Sequence, residues 1–395
     1  MASDPIVIVD GVRTPMGGFQ GELTPLRAPD LGAAAIRASL ERSGVAADQV
    51  DEVIMGCVLS AGQGQAPARQ ASRFAGIPDA AGCTTINKMC GSGMKAVMLA
   101  HDLIAAGTNR VMVAGGMESM TSAPYLLDRA RAGYRMGHGR VLDHMFLDGL
   151  EDAYDKGRLM GTYAEDTAQH FQFTRKQQDD YAVASLERAK RAQADGSFAR
   201  EIAPVEAKGR KGAVTVSIDE QPRTADPAKI PTLKPAFRDG GTVTAANSSS
   251  ISDGAASLVL MRESEAEKRG LKPRAVIRGH ATHAQEPAWF TTAPIFAIRK
   301  LLEKLKWETG AVDLYEINEA FAVVAMAAMR ELNLPHDKVN VNGGACALGH
   351  PIGASGARIL VTLMNALETR GQKRGVAALC IGGGEATALA VETLN

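Results

Sequence analysis

Much of what a chain can be is excluded by what this one lacks. It has no charge excess, with 44 Asp+Glu against 44 Lys+Arg, so its bulk composition draws neither nucleic acid nor an anionic membrane surface. An anionic ligand must then be met by a local patch. Its cysteines number only five, Cys57, Cys83, Cys90, Cys346 and Cys380, an odd and scattered set without a Cys-x-x-Cys pair. That argues against a disulfide framework and for a reducing compartment. No cysteine or carboxylate stands at ligand spacing beside the close histidines His280 and His283, so no metal site is expected. No Gly-x-Gly-x-x-Gly follows the first apolar run, which removes a dinucleotide-dependent oxidoreductase. No apolar stretch reaches the roughly 20 residues that span a bilayer. Met1 to Val9 shows neither a secretory signal nor a transit peptide, and Glu392 to Asn395 is not a peroxisomal address. The expectation is a soluble cytoplasmic protein.

At 395 residues the chain is long enough for two or three domains of about 150 residues. Strand-like runs at Ile6–Val9, Val50–Gly56, Thr84–Ile86 and Val111–Gly116 alternate with helical spacing at Leu31–Ser43, Gln65–Ala75 and from Cys90 to about Ala106. Such alternation predicts an α/β protein with a mostly parallel sheet covered on both faces. From about Ser119 to Asn247 the pattern is lost, apart from Thr174–Ala194, where Thr174 and Gln177 form a capping box. The loop Gly209–Gly212 and the segment Gln221–Pro235 read as irregular surface, and Lys208, Arg210 and Lys211 as a solvated basic loop. This region is expected to be an insertion resting on the core.

Alternation then resumes as a repeat. Leu40 is followed ten residues later by Val50, and Leu302 ten later by Val312. Val50 precedes Cys90 by forty residues and Val312 precedes His350 by thirty-eight. Ser92-Gly93 and Ser355-Gly356 each open a helix leading to a strand that ends in glycines. Two related halves about a pseudo-twofold axis would bring Cys90 and His350 to equivalent helix ends.

The chemistry lies in the turns of these halves. Asn87-Lys88-Met89-Cys90-Gly91-Ser92-Gly93 delivers a cysteine at or just before a helix N-terminus, where free amides and the helix dipole lower a thiol's pKa. Alone, that stretch fits an inert core cysteine equally well. His350 lies among five glycines in the fifteen residues from Asn342 to Gly356. Cys380 ends a buried strand in Leu379-Cys380-Ile381-Gly382-Gly383-Gly384-Glu385. Asn318 opens a helix in Asn318-Glu319-Ala320-Phe321, and a helix cap is its plainer reading. Cysteine with histidine is the logic of covalent acyl transfer. A second thiol suits a reaction in which an α-proton must also move.

These four turns resemble the motifs of the thiolase family, in order, from about Ile6 to Leu394. The resemblance implies a five-layered α-β-α-β-α core of duplicated βαβαβαββ halves. It implies an N-terminal core domain of residues 1–120 with 248–272, a loop domain of 121–247, and a C-terminal core domain of 273–395. It also implies reversible condensation of two acetyl-CoA to acetoacetyl-CoA and CoA, with no metal or redox cofactor. Cys90 would be the nucleophile, His350 its proton acceptor and Cys380 the α-proton base. The amides of Cys90 and Gly382 would hold one oxyanion, and His350 with a water on Asn318 the other. By the same resemblance Ser249, Ala245, Phe237, Leu150, Met160 and Phe321 line the path of the CoA arm and acyl group, and Arg223 stands near the nucleotide. Leu159 replaces the family's histidine before Met160, and Phe290 stands where biosynthetic members carry methionine. Arg131–Gly149 resembles the arm that pairs dimers into homotetramers. A ketoacyl synthase of the same superfamily would lack Cys380, and a non-catalytic acyl-CoA carrier would not need all four residues.

Overall fold

The computed structural model describes residues 4–209 and 212–394. Its strands are β1 (Ile6–Arg13), β2 (Gly17–Gly18), β3 (Glu52–Gly56), β4 (Gly82–Ile86), β5 (Val111–Ser119), β6 (Tyr125–Leu126), β7 (Leu142–Asp143), β8 (Val205–Gly209), β9 (Gly212–Val216), β10 (Ser252–Arg262), β11 (Ala275–Ala284), β12 (Leu314–Ile317), β13 (Arg374–Ile381) and β14 (Glu385–Thr393). Its α-helices are α1 (Ala28–Ser43), α2 (Pro67–Phe74), α3 (Ser92–Ala105), α4 (Met160–His170), α5 (Arg175–Ala194), α6 (Glu220–Thr224), α7 (Glu263–Lys268), α8 (Ala293–Leu305), α9 (Ala322–Leu332), α10 (Ala345–Leu348) and α11 (Ser355–Thr369).

The duplication expected from residue spacing is visible in strand order. The first half runs β1-β10-β5-β3-β4 and the second β11-β14-β13-β12. In each, the first strand of the half pairs antiparallel with its last and a parallel pair follows, β3 with β5 and β12 with β13. The sheet is therefore mixed and more antiparallel than parallel, not mostly parallel as expected, because the outgoing and returning strands of each half lie side by side. A single parallel bridge from Tyr315 to Val339 stands where β4 pairs with β3 in the other copy. The halves are stitched where Val7 and Ile8 of β1 meet Val276 and Ala275 of β11.

Three apolar cores separate five layers. One lies between α1, α2 and the first sheet, one around α3 and α11 between the sheets, and one between the second sheet and α8 and α9. The middle layer explains a contrast in composition. Every residue of α11 from Ser355 to Leu367 is buried, as expected for a helix covered on all sides. Arg358 is tolerated there because Glu316 receives its guanidinium at 3.2 Å. Helices α3 and α11 meet at Gly93 and Gly356, where an added Cβ would overlap the backbone of the other helix.

Element limits follow the sequence reading closely in the first half. The capping box at α5 is present, with Gln177 Oε1 accepting from the Thr174 amide at 2.8 Å and Thr174 Oγ1 from the Gln177 amide at 3.2 Å. The insertion is more ordered than expected. Lys208 and Gly209 belong to an antiparallel hairpin of β8 and β9, whereas Arg210 and Lys211 lie outside the described residues. The Gln221–Pro235 stretch holds α6 and a 3-10 turn at Pro227–Thr232, opened by Asp226 accepting from the Ala228 amide at 3.0 Å. Among the described residues no helix is long and apolar enough to cross a membrane.

A buried ion cluster fastens the insertion to both halves. Arg13 of β1 gives Nε to Glu201 at 2.5 Å and its two terminal nitrogens to Asp219 at 2.6 and 2.9 Å, all fully buried. Glu201 also accepts from Thr362 of α11 at 3.0 Å. Removing the cation leaves two buried carboxylates without a counter-charge, so Arg13→Met is expected to destabilise the fold by about 3–5 kcal/mol in urea unfolding. A loss under about 1 kcal/mol, the range of surface pairs, would contradict this account.

Candidate active site

Cys90 stands two residues before α3, whose N-cap is Gly91. The preceding Met89 has φ of 46°, a left-handed conformation that costs energy for a residue with a side chain. Local hydrogen bonds hold it. Asn87 Oδ1 accepts from the Met89 amide at 2.9 Å, Ser92 Oγ donates to the Met89 carbonyl at 2.6 Å, and the Lys88 amide donates to Ser92 Oγ at 2.8 Å. The strained turn presents Cys90 between the two halves.

The second half brings Cys380 and Gly382 to the same place. The Gly382 amide faces Cys90 Sγ closely enough to favour its thiolate, as does the amide of Cys90 itself. The charge of Cys90 acts in turn on Cys380. Gly91 packs so tightly on Ile381 that any Cβ would overlap its side chain.

The expected lowering of the Cys90 pKa is overturned. Burial pushes the thiol up to about 11, the charge of Glu118 adds to this, and the two amides recover only part. Cys380 is pushed well above the usual thiol range by burial and then by Cys90, against its own amide. Proximity to a helix end is a local effect, and here desolvation outweighs it.

His350 is buried, and burial with the nearby Arg358 guanidinium pulls its pKa down to about 3. Its tautomer follows from its neighbours. Ser355 Oγ donates to the Pro351 carbonyl at 3.0 Å, so it accepts from His350 Nδ1 at 2.6 Å. Nε2 is left with its lone pair, a neutral base. Asn318, fixed through its amide to the Ala378 carbonyl at 2.9 Å, sets Nδ2 3.5 Å from both ring nitrogens. Its Oδ1 is buried without a partner among the described residues.

The other expected residues fall into three groups. Ser249 donates its amide to the Ala320 carbonyl at 2.9 Å, and the adjoining Ser250 carbonyl accepts from the His350 amide at 3.1 Å, so this strip lines the site. Phe237 meets Phe321 edge to face at 5.9 Å, Leu150 and Cys90 pack on one cluster with Ile352, and Met160 lies beside Gly382. Ala245 is further out, on a cavity of about 220 Å³ that Lys229 and Leu233 also line. Phe290 is 3% exposed and sits edge to face on Tyr163 at 6.2 Å. Arg223 is ion-paired with Glu22 at 2.7 Å on the surface, so its charge is already engaged. The histidine pair divides, with His280 2.9 Å from Asp102 beside His101, and His283 3.0 Å from Gln285.

Two residues escaped the sequence reading. Ser355 was visible only as a helix start, yet it orients His350. Glu118 ends β5 fully buried, accepting from the amides of Val58 and Leu59 at 3.0 Å each and of Gly353 at 2.8 Å. Its signal was a lone acid closing an apolar strand beside Gly115-Gly116.

Residues 6–264 match the thiolase N-terminal domain and residues 271–393 the thiolase C-terminal domain. The chain belongs to the thiolase family. This thiolase is 53% identical to acetyl-CoA acetyltransferase 2 of Arabidopsis thaliana over 98% of its own length and 97% of the relative's. It is 49% identical to the acetyl-CoA acetyltransferase of Cupriavidus necator, over 98% and 99% of the two chains. The crystal structure of the Bacillus anthracis acetyl-CoA acetyltransferase matches with a TM-score of 0.96 at 42% identity, covering 99% of each chain. That of the Ascaris suum Acat5 thiolase in complex with coenzyme A matches at 0.93 and 42%, covering 99% of this chain and 100% of the other.

A thiol raised to about 11 carries little thiolate at neutral pH, and the fraction climbs about tenfold per pH unit. The rate of Cys90 alkylation by iodoacetamide, followed by peptide mass, is therefore expected to keep rising from pH 7 to pH 10. A plateau below pH 8 would show a thiolate already formed at rest.

Proposed function

We propose that this thiolase is an acetyl-CoA C-acetyltransferase, condensing two acetyl-CoA to acetoacetyl-CoA and CoA, reversibly, through an S-acetyl group on Cys90. The observation that carries the reading is the pairing of two thiols across the halves, Cys90 with the Gly382 amide beside it and Cys380 behind. Hydrolysis or simple acyl transfer would need only the first.

In the first half-reaction Cys90 Sγ attacks the thioester carbonyl and its proton passes to His350 Nε2. Both pKa displacements favour the uncharged pair, so the proton moves as the C–S bond forms, not before it. The developing oxyanion is met by the amides of Cys90 and Gly382, donors worth roughly 3–4 kcal/mol each in comparable sites. Collapse expels CoA as thiolate. Proton balance assigns its proton to Cys380, which becomes the base for the next step.

A second acetyl-CoA then loses an α-proton to Cys380. The enolate oxygen is held by protonated His350 and by a water on Asn318, whose buried Oδ1 has a place for one. The carbanion attacks the acetyl carbonyl, the bond to Cys90 breaks, and Cys90 recovers its proton from His350. Every proton borrowed is returned within the cycle, and no metal or redox group takes part.

Coenzyme A is held by the strip at Ser249, with Phe237, Phe321, Leu150 and Met160 as apolar walls and the cavity at Ala245 toward the nucleotide. Arg223 reaches the nucleotide only by leaving Glu22. Phe290, edge to face on Tyr163, is the larger ring that narrows or reshapes the acyl end of the pocket. The arm Arg131–Gly149 projects apolar side chains into solvent, Met136 at 98% exposure and Val141 above half, and pairs dimers into a homotetramer.

Cys90→Ala is expected to abolish both turnover and covalent acetylation, whereas Cys380→Ala still acetylates Cys90 but forms no acetoacetyl-CoA; loss of acetylation in both variants would overturn the division of roles. Thiolysis of acetoacetyl-CoA is expected to outpace that of longer 3-ketoacyl-CoA, and equal rates would sink the short-chain reading. Light scattering should give the mass of a tetramer, and deletion of the arm that of a dimer.

A further inference from the structure

The turn that supplies the Gly382 amide is an unpromising place to fix a hydrogen-bond donor. It consists of Gly382, Gly383 and Gly384, the last two at φ of 91° and 89°, and glycine has the freest backbone of any residue. Cys380 needs no extra support, because it sits inside the β13 ladder opposite Ala386. Gly382 lies beyond that ladder. Its turn is fastened at one end by the Gln285 amide, which donates to the Gly384 carbonyl at 2.8 Å.

Directly after Gly384 stands Glu385, the first residue of β14, which pairs in register with Ile381 on the far side of the turn. Its carboxylate receives the ammonium of Lys88 across the boundary between the halves. Lys88 is two residues before Cys90, and its own amide is tied to Ser92 Oγ at 2.8 Å. The two side chains are 21% and 34% exposed, sheltered enough to keep one geometry. Between them Gly91 lies against Ile381. Each partner is thus anchored to the turn that bears one member of the acyl-oxyanion site. The two charges offset each other across the boundary, so the pair acts through position.

The geometry points to Lys88 and Glu385 as positioning residues, an ionic latch that sets the Gly382 amide against the carbonyl of the group on Cys90. It serves the steps at that carbonyl, acylation and carbon–carbon bond formation, and leaves α-proton removal by Cys380 alone. This rests on the assignment of roles proposed above.

The test separates the two chemistries in Lys88→Met, Glu385→Gln, their combination, and the reversed pair Lys88→Glu with Glu385→Lys. Acetylation of Cys90 is timed by rapid quench and mass spectrometry, and α-proton removal by deuterium wash-in at the methyl group of acetyl-CoA. Each single variant is expected to slow acetylation on the order of tenfold, the scale of a small misplacement. Wash-in should change by less than about twofold, the combined variant should be no worse than either single one, and reversal should restore part of the rate. Equal losses in both rates, losses that multiply in the combined variant, or no loss at all would overturn the latch. Absence of acetyl on Cys90 of the unaltered enzyme, or wash-in that survives Cys380→Ala, would instead overturn the assignment of roles beneath it.

Discussion

Glu118 is the group on which the geometry of the site depends. Its carboxylate is fully buried, a costly placement that proteins permit only where hydrogen bonds compensate. Two of its amide donors, Val58 and Leu59, follow β3 in the first half, and the third, Gly353, belongs to the His350 turn of the second. One acid therefore closes the distance between the half that carries Cys90 and the half that carries His350. Burial still lifts its pKa to about 7 against these amides. Burial is the main reason the Cys90 thiol is raised, and the charge of Glu118 adds to it, so the residue that joins the halves also helps keep that thiol neutral.

That restraint shapes the chemistry. A resting thiolate beside an imidazolium would be reactive toward any electrophile that entered. Here burial favours the neutral thiol and the neutral imidazole; in the reaction proposed above, the sulfur becomes nucleophilic only when a carbonyl is present to take the charge into the amides of Cys90 and Gly382. Under that proposal, reactivity is tied to the geometry of the bound thioester rather than to a standing charge.

The sequence was most informative where structure is made locally. The turns at Cys90, Asn318, His350 and Cys380 were legible because glycine and small polar residues mark sharp turns within a few positions, and the capping box at Thr174 is local in the same sense. The duplication was legible because spacing survives even where residues change. What stayed hidden depends on distant partners. The order in the insertion rests on Asp219 and Glu201 meeting Arg13, some two hundred positions away in the chain. The thiol pKa values depend on how completely five layers exclude water, which no nearby residue reports. Glu118 went unread because its amide donors Val58, Leu59 and Gly353 come from two distant stretches of the chain.

The glycine contact between α3 and α11 has a bearing on how such a site arises. Gly93 and Gly356 occupy the same position in the two copies, and at each the neighbouring residues of the other copy, Ala357 and Gly353 or Met94, leave no room for a side chain. Whatever the two copies have come to differ in, their helix starts are locked at backbone contact. A duplicated chain could thus let one copy keep a thiol and the other an imidazole while the spacing between them stayed inherited. The symmetric joint is the fixed ruler against which an asymmetric catalyst could be built by changing single residues.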